Sequence, residues 1–240
     1  MTAHPAPTPP SRRERPAKPA LTRAGIVATA VELMRTEGLQ RVTMRRLAQA
    51  LDTGPASLYV YVRNTAELHA EILDELLGTV DLGPAKADGD WRERLAELLT
   101  SYTRVLFDHP GLAQSALVTR PSGEHYLNLV EAVLSLLSEG GLEPGRAAWS
   151  LDLLLQLATA TAAEHATQDP TAGPAADAKD WNALTTALRG ASDRTHPHIA
   201  ALGTELLSGP PEARLVWGFH VLLNGAPHTP RPDAPAPHTA

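Results

Sequence analysis

Between Val42 and Val62 the chain reads VTMRRLAQALDTGPASLYVYV, a run whose basic and hydroxyl side chains are spaced to meet a polyanion. Thr43 can cap a helix that buries Met44, Leu47, Ala48 and Leu51 and leaves Arg45, Arg46 and Gln49 outside. Val42, just ahead of that cap, can staple onto Leu47. Asp52 and Thr53 then turn the chain, aspartate being among the few non-glycine residues that tolerate a left-handed position. Gly54-Pro55 opens a second helix, with proline where its missing N–H costs nothing. In that helix Leu58 and Val62 face inward, and Ala56, Ser57, Tyr59, Val60 and Tyr61 cover the rest. Small residues at its start let the backbone approach base edges in a major groove about 12 Å wide, and tyrosine hydroxyls can reach phosphates. Asn64 caps a further helix with Glu67 closing the capping box, so the helix start at Thr65 is itself a phosphate site.

The charge balance supports a polyanion only when it is divided. The net charge of −6 taken alone argues against nucleic acid. Residues 1–65, however, carry ten Lys/Arg against four acids, whereas residues 66–240 carry eleven against twenty-three. A basic head on an acidic body places a phosphate-seeking surface at one end. A solvated basic tail on an ordinary acidic protein would give the same numbers, and Arg12–Lys18 reads either as a minor-groove arm or as such a tail.

The elements that must position these residues are helical throughout. Ala and Leu dominate, and alternating β-branched runs are missing. The pattern predicts helices at 22–37, 43–50, 55–61, 64–81, 90–108, 111–118, 122–139, 143–167, 178–190, 196–207 and 211–224. The short connections among the first four force a compact three-helix unit, and the later, longer helices form a body. The expected division is a disordered basic Pro-rich arm at 1–20, a helix-turn-helix unit at 21–68, a helical body at 69–225 and a disordered tail at 226–240, with a soft loop at Gln168–Ala178. With no cysteine, disulfides and Cys-based zinc sites are excluded, and a cytoplasmic setting fits. The longest apolar stretch, Leu151–Ala163, is interrupted by Asp152, Gln156 and threonines, so no membrane span is expected.

The block LTRAGIVATAVELMRTEGLQRVTMRRLAQALDTGPASLYVYVRNTAELHAEIL resembles the DNA-binding head of the tetracycline-repressor (TetR) family over its whole length. The pieces that carry the likeness are Leu21-Thr22-Arg23, Glu37-Gly38-Leu39, Val42 to Ala48, Leu58-Tyr59-x-Tyr61-Val62, and Asn64 with Glu67-Leu68. The resemblance implies an all-α fold, a ligand-responsive repressor, phosphate contacts from Thr43, Ser57, Tyr61 and Thr65, a guanine contact from Arg45, and base contacts from Ala56 and Tyr59. Arg46 is a further DNA candidate, with a plain solvated role as its alternative. Three positions depart from the family pattern: Asp52 replaces the usual turn glycine, Thr53 an apolar residue, and Thr65 the lysine that often follows the asparagine. The last change removes a phosphate contact and should lower salt-dependent affinity rather than sequence choice.

The body resembles the same family's effector domain more weakly, through Trp91 to Leu95, Phe107 to Leu112 and Thr119-Arg120-Pro121. The likeness implies a homodimer paired through two late helices, with Ala147, Leu151, Leu154, Ala158 and Ala162 of 143–167 and Leu215, Gly218 and Leu222 of 211–224 as interface candidates. Their alternative is intramolecular core. Tyr102, Leu106, Trp149, Leu153, Gln156, Thr159, Trp181 and Trp217 offer the apolar-with-polar mixture of a small-molecule pocket, or else ordinary core. No metal or cofactor is expected. Tetracycline repressors place a metal-holding histidine four residues before the arginine of Thr-Arg-Pro, and that position here is Ala116. His109, His125 and the pair His196-Pro197-His198 offer no convergent set. The reading is therefore not an enzyme: Glu164-His165, near a helix end, has no evident third catalytic member in the sequence. A helical adaptor that binds another protein through the acidic body is the remaining alternative. An effector in the body would act through the helix at 64–81, by favouring one spacing of two heads on a palindromic operator.

Overall fold

The computed structural model describes residues 20–117, 121–166 and 174–232, and among them helices are joined by turns without any strand. The head begins with α1 (Arg23–Glu37), capped by Thr22, whose hydroxyl accepts from the Gly25 amide at 3.1 Å. Gly38 ends it at φ +84°, where a side chain would be strained, and a single 3-10 turn (Leu39–Arg41) leads to α2 (Met44–Ala50). The helix-turn-helix closes with α3 (Pro55–Leu58), which is shorter than the run 55–61 predicted from its pattern. Its continuation to Val62 is held by two tight bonds, Tyr61 N–H and Val62 N–H both donating to the Leu58 carbonyl. Ile26, Ala30, Leu47, Leu58 and Val62 meet in the head's interior with almost no exposure. Each such leucine or isoleucine stabilises the fold by about 1.5–3 kcal/mol relative to an exposed one.

Next comes α4 (Thr65–Leu77), whose buried stripe of Leu68, Ile72, Leu73, Leu76 and Leu77 joins head to body. It stops four residues short of the predicted 81, because Gly78, Thr79 and Val80 donate to carbonyls three residues back and tighten the chain. The body is built on α5 (Trp91–Asp108), α6 (Pro110–Ala116), α7 (Glu124–Glu139) and α8 (Pro144–Ala166). Leu95, Leu98, Leu99 and Leu106 of α5 pack with Leu129, Val133 and Leu136 of α7, Leu154 and Ala158 of α8, and Phe219. Trp91 belongs to this scaffold: its ring lies so close to Gly140 that a Cβ there would collide with it unless the ring shifted. Buried Arg94 beside it donates to the carbonyls of Pro84 and Ala87 and pairs with Glu139, fastening the 83–87 turn to the end of α7.

Three further helices follow, α9 (Pro174–Arg189), α10 (Pro197–Leu202) and α11 (Pro211–Gly225). The soft loop predicted to reach Ala178 gives way to helix at Pro174, and 196–207 divides into α10 and a 3-10 turn at Glu205–Leu207. Residues 226–232, which composition assigns to a disordered tail, lie along α8 instead. Arg146 donates to the Pro227 carbonyl, and the Arg231 guanidinium sits 4.8 Å over the Trp149 ring.

Candidate nucleic-acid interface and body cavity

The helix-turn-helix is locally over-determined. Thr43 caps α2 as its sequence predicts, accepting from the Arg46 amide at 3.2 Å. Asp52 takes the turn at φ +48°, the left-handed position that the family pattern fills with glycine, and Thr53 N–H bonds back to Ala48. Asn64 caps α4 through a 2.8 Å bond from the Glu67 amide. The expected capping box closes one residue early, because Glu67 accepts from the Arg63 backbone at 2.7 Å and not from Asn64. Glu67 also receives the Arg63 and Arg23 side chains, and Arg23 reaches Glu71 at 2.6 Å. The first residue of α1 is thereby tied to the first two turns of α4.

Arg45 on α2, Ala56 and Ser57 on α3 and Tyr59 just past it are all exposed, and Val60, given no contact in the sequence reading, is 80% exposed. Among the described residues Arg45 makes no ion pair, so its guanidinium is available for a partner. Arg46 differs: both its Nε and Nη2 engage Glu37, which raises the arginine pKa and lowers the glutamate's through the shared hydrogen bond. Tyr61 differs too. It is half-buried and donates its hydroxyl to the Leu21 carbonyl at 2.8 Å, so the group expected to reach a phosphate here pins the segment preceding α1. Thr43 and Thr65 are exposed at the mouth of a crevice between the head and α6, where Leu39 packs so close to Gly111 that a Cβ there would approach it to 3.0 Å. His69 of α4 lines that crevice, and burial lowers its pKa, partly offset by a hydrogen bond to the Val42 backbone.

Within the body α4 to α8 enclose a cavity of about 300 Å³. Three predicted residues line it, Tyr102, Gln156 and Thr159, together with Leu73, Tyr126 and Asp152. The Tyr102 hydroxyl is 2.8 Å from Thr159 Oγ1, and burial pushes the phenol up to about 12, so it stays protonated as a donor or acceptor. Leu106 is fully buried and does not reach the cavity. Trp149 and Leu153 line a separate, mostly apolar hollow of about 270 Å³ between α8 and α11, and Trp217 is 69% exposed on α11. The Trp181 side chain lies outside the described residues, as do Thr119 and Arg120. Pattern alone could not separate these sets, since one face of α8 lines the cavity and another the hollow.

The interface candidates also divide. Ala147, Leu154, Ala158, Ala162 and Leu215 are buried within the protomer, Leu151 lines the cavity, and Gly218 approaches Leu157 of α8. On α8 and α11 the exposed large apolar residues are Trp149, Leu153, Trp217 and Val221. Their exposure on long helices is the signal that sequence periodicity did not carry. Among the described residues no group of three His, Cys, Asp or Glu is placed to hold a metal ion, and no helix is long and apolar enough to cross a membrane.

A surface helix pair with an unpaired arginine, mounted on a helical body with its own cavity, is the architecture of a helix-turn-helix regulator. Residues 26–72 match the family described as bacterial regulatory proteins, tetR family, and residues 83–227 match the tetracyclin repressor-like C-terminal domain. The chain belongs to the tetR family of bacterial regulatory proteins, and its members are transcriptional regulators, not enzymes. A transcription regulator of Streptomyces coelicolor is 57% identical, with a TM-score of 0.76 over 91% of this chain and 100% of its own. ActR of the same organism, solved in complex with actinorhodin, is 32% identical, with a TM-score of 0.76 over 87% of this chain and 96% of its own. An HTH-type transcriptional regulator of Saccharopolyspora erythraea is 37% identical over 131 residues, 54% of each chain. The chain spans about half the length of the curated relatives it matches, 54% and 48% for the first two.

Proposed function

We propose that this chain is a ligand-responsive repressor that holds a palindromic DNA operator as a homodimer and releases it when a small, largely apolar effector fills the body cavity. The observation that carries the reading is the exposed set Arg45 on α2, Ala56 and Ser57 on α3 and Tyr59 and Val60 just past it, in a head whose α1 is tied through Arg23 to α4, the helix that also walls the cavity. Arg45 reads a guanine edge, the α3 side chains meet bases and sugar-phosphate, and Thr43 and Thr65 approach flanking phosphates. Pairing through the outward faces of α8 and α11 sets two heads at a fixed spacing, and a ligand acts only through unequal affinity for the spacings that fit and do not fit DNA. The complex of ActR with actinorhodin supports a small-molecule effector for a chain of this fold. The cavity's volume and its mixed lining suit one.

Selection from a random duplex library followed by footprinting tests the reading. Two protected half-sites about one helical turn or more apart are expected. A monomer protecting one asymmetric half-site would overturn it. A thermal-shift screen of small molecules, with each hit retested for release of the selected duplex, identifies the effector.

A further inference from the structure

The α7 helix lacks a cap of its own. It starts at Glu124 after Gly123, which offers no side chain to its free amides. Those amides are met from another helix. Asp74 of α4 accepts from Tyr126 N–H through Oδ1 at 2.9 Å and faces His125 N–H through Oδ2 at 3.4 Å. The approach is so close that a Cβ on Gly123 would collide with the Asp74 carboxylate, and one on Gly78 would fall 2.9 Å from the His125 ring. The second half of α4 and the first turn of α7 are therefore keyed together by a carboxylate and two glycines.

Both helices of this joint also wall the cavity, α7 through Tyr126, whose amide Asp74 holds, and α4 through Leu73, the neighbour of Asp74. The other end of α4 is bound to the head through Arg23 and the two glutamates. We infer that Asp74 is a positioning residue, the joint through which the first turn of α7 sets the angle of α4 and with it the place of the head. The inference rests on the regulatory reading only for its purpose; the joint itself can be tested without DNA or effector.

Since the chain has no cysteine, Gln49→Cys on α2 and Glu97→Cys on α5, both exposed positions, can be spin-labelled specifically. Full-length labelled protein diluted into unlabelled protein reports the head-to-body distance within one protomer. The parent should give one narrow distance. Asp74→Ala should broaden it and lower Tm by about 2–4 °C, the size of a lost helix cap in a chain of this length. Gly123→Ala, which keeps the carboxylate but displaces it, should broaden it likewise. Gly123→Ser in the Asp74→Ala background restores a cap to α7 from its own chain. The inference expects Tm to recover while the distance stays broad. If the distance narrows again, Asp74 is only a cap, and if Asp74→Ala never broadens it there is no joint; either result overturns the proposal. Failure of the parent chain to select any duplex would remove the regulatory reading and leave these distances to judge the joint.

Discussion

Both ends of the molecule hold apolar side chains in water, and the two sets differ in their setting. Just past the four-residue α3, Tyr59 and Val60 stand in the turn that follows, near the hydroxyl of Ser57, with the exposed Arg45 on the adjoining α2. On α8 and α11 Trp149 and Leu153, and likewise Trp217 and Val221, lie one turn apart on long helices and so present two apolar pairs on their outward faces. A narrow apolar tip among polar groups suits a grooved, charged partner, which offers methyl groups and phosphates within a few ångströms of each other. A wide apolar face suits another such face, and a second copy of the chain supplies one by symmetry.

The largest effect that could break this contrast is loss of the second copy proposed to cover the body's apolar face. Trp217→Asp or Leu153→Asp should leave the protomer folded, since neither side chain is in its core, but should weaken self-association. A central anchor is worth about 2 kcal/mol or more, roughly 30-fold in dissociation constant, and sedimentation at micromolar concentration should show monomer. Operator affinity should fall with it. A variant that stays dimeric would show that these faces are not the interface. Next in size, Arg45→Ala should cost about 1–3 kcal/mol on the selected duplex, read by fluorescence anisotropy, with its melting point unchanged. If the loss is uniform across duplexes of different sequence, Arg45 contacts phosphate and not a base.

The body's interior gives a smaller, pH-dependent effect. Tyr102 in the fold ionises near 12, against 10 for an unperturbed phenol, so the folded state keeps its proton where the unfolded chain has lost it. The stability so contributed is whole below pH 10 and is lost as pH rises from 10 towards 12, by about 2–3 kcal/mol in all. Denaturant titrations across that window should show a shallower alkaline fall for Tyr102→Phe. Equal slopes would mean that the hydroxyl is solvated and the cavity open.

How much of this was legible in sequence follows the same division. The head's caps, its turn and its buried residues are local events, decided within a few positions: Thr43, Asp52, Pro55 and Asn64 each act on backbone they adjoin. What the head's sequence does not show is which of its polar side chains find partners within the protein. The Tyr61 hydroxyl finds Leu21 forty residues away and Arg46 finds Glu37, so two residues expected on DNA are already engaged. In the body local pattern fixes the helices but not their faces. Both faces of α8 are apolar, and only packing against α5, α6 and α11 tells that Thr159 looks into the cavity and Trp149 away from it. Asp74 carried no signal at all, since its partners are backbone amides on another helix.

The smallest expected effect concerns Arg46, and it tests whether the head's cations are divided as described. Glu37 holds this guanidinium at two points on the protein's own surface, so Arg46 is unavailable to DNA unless the pair opens. Glu37 is exposed and Arg46 only half-buried, and such surface pairs add little to stability, so Glu37→Gln should leave Tm within error. The substitution removes a charge that repels phosphate and releases one that attracts it. Non-specific DNA affinity should therefore rise modestly, and the slope of log K against log salt should steepen by about one counterion. An unchanged slope would mean that Arg46 already contacts DNA in the parent protein by exchanging carboxylate for phosphate. Arg46 would then have to be counted with Arg45, and the head would read its site with two arginines rather than one.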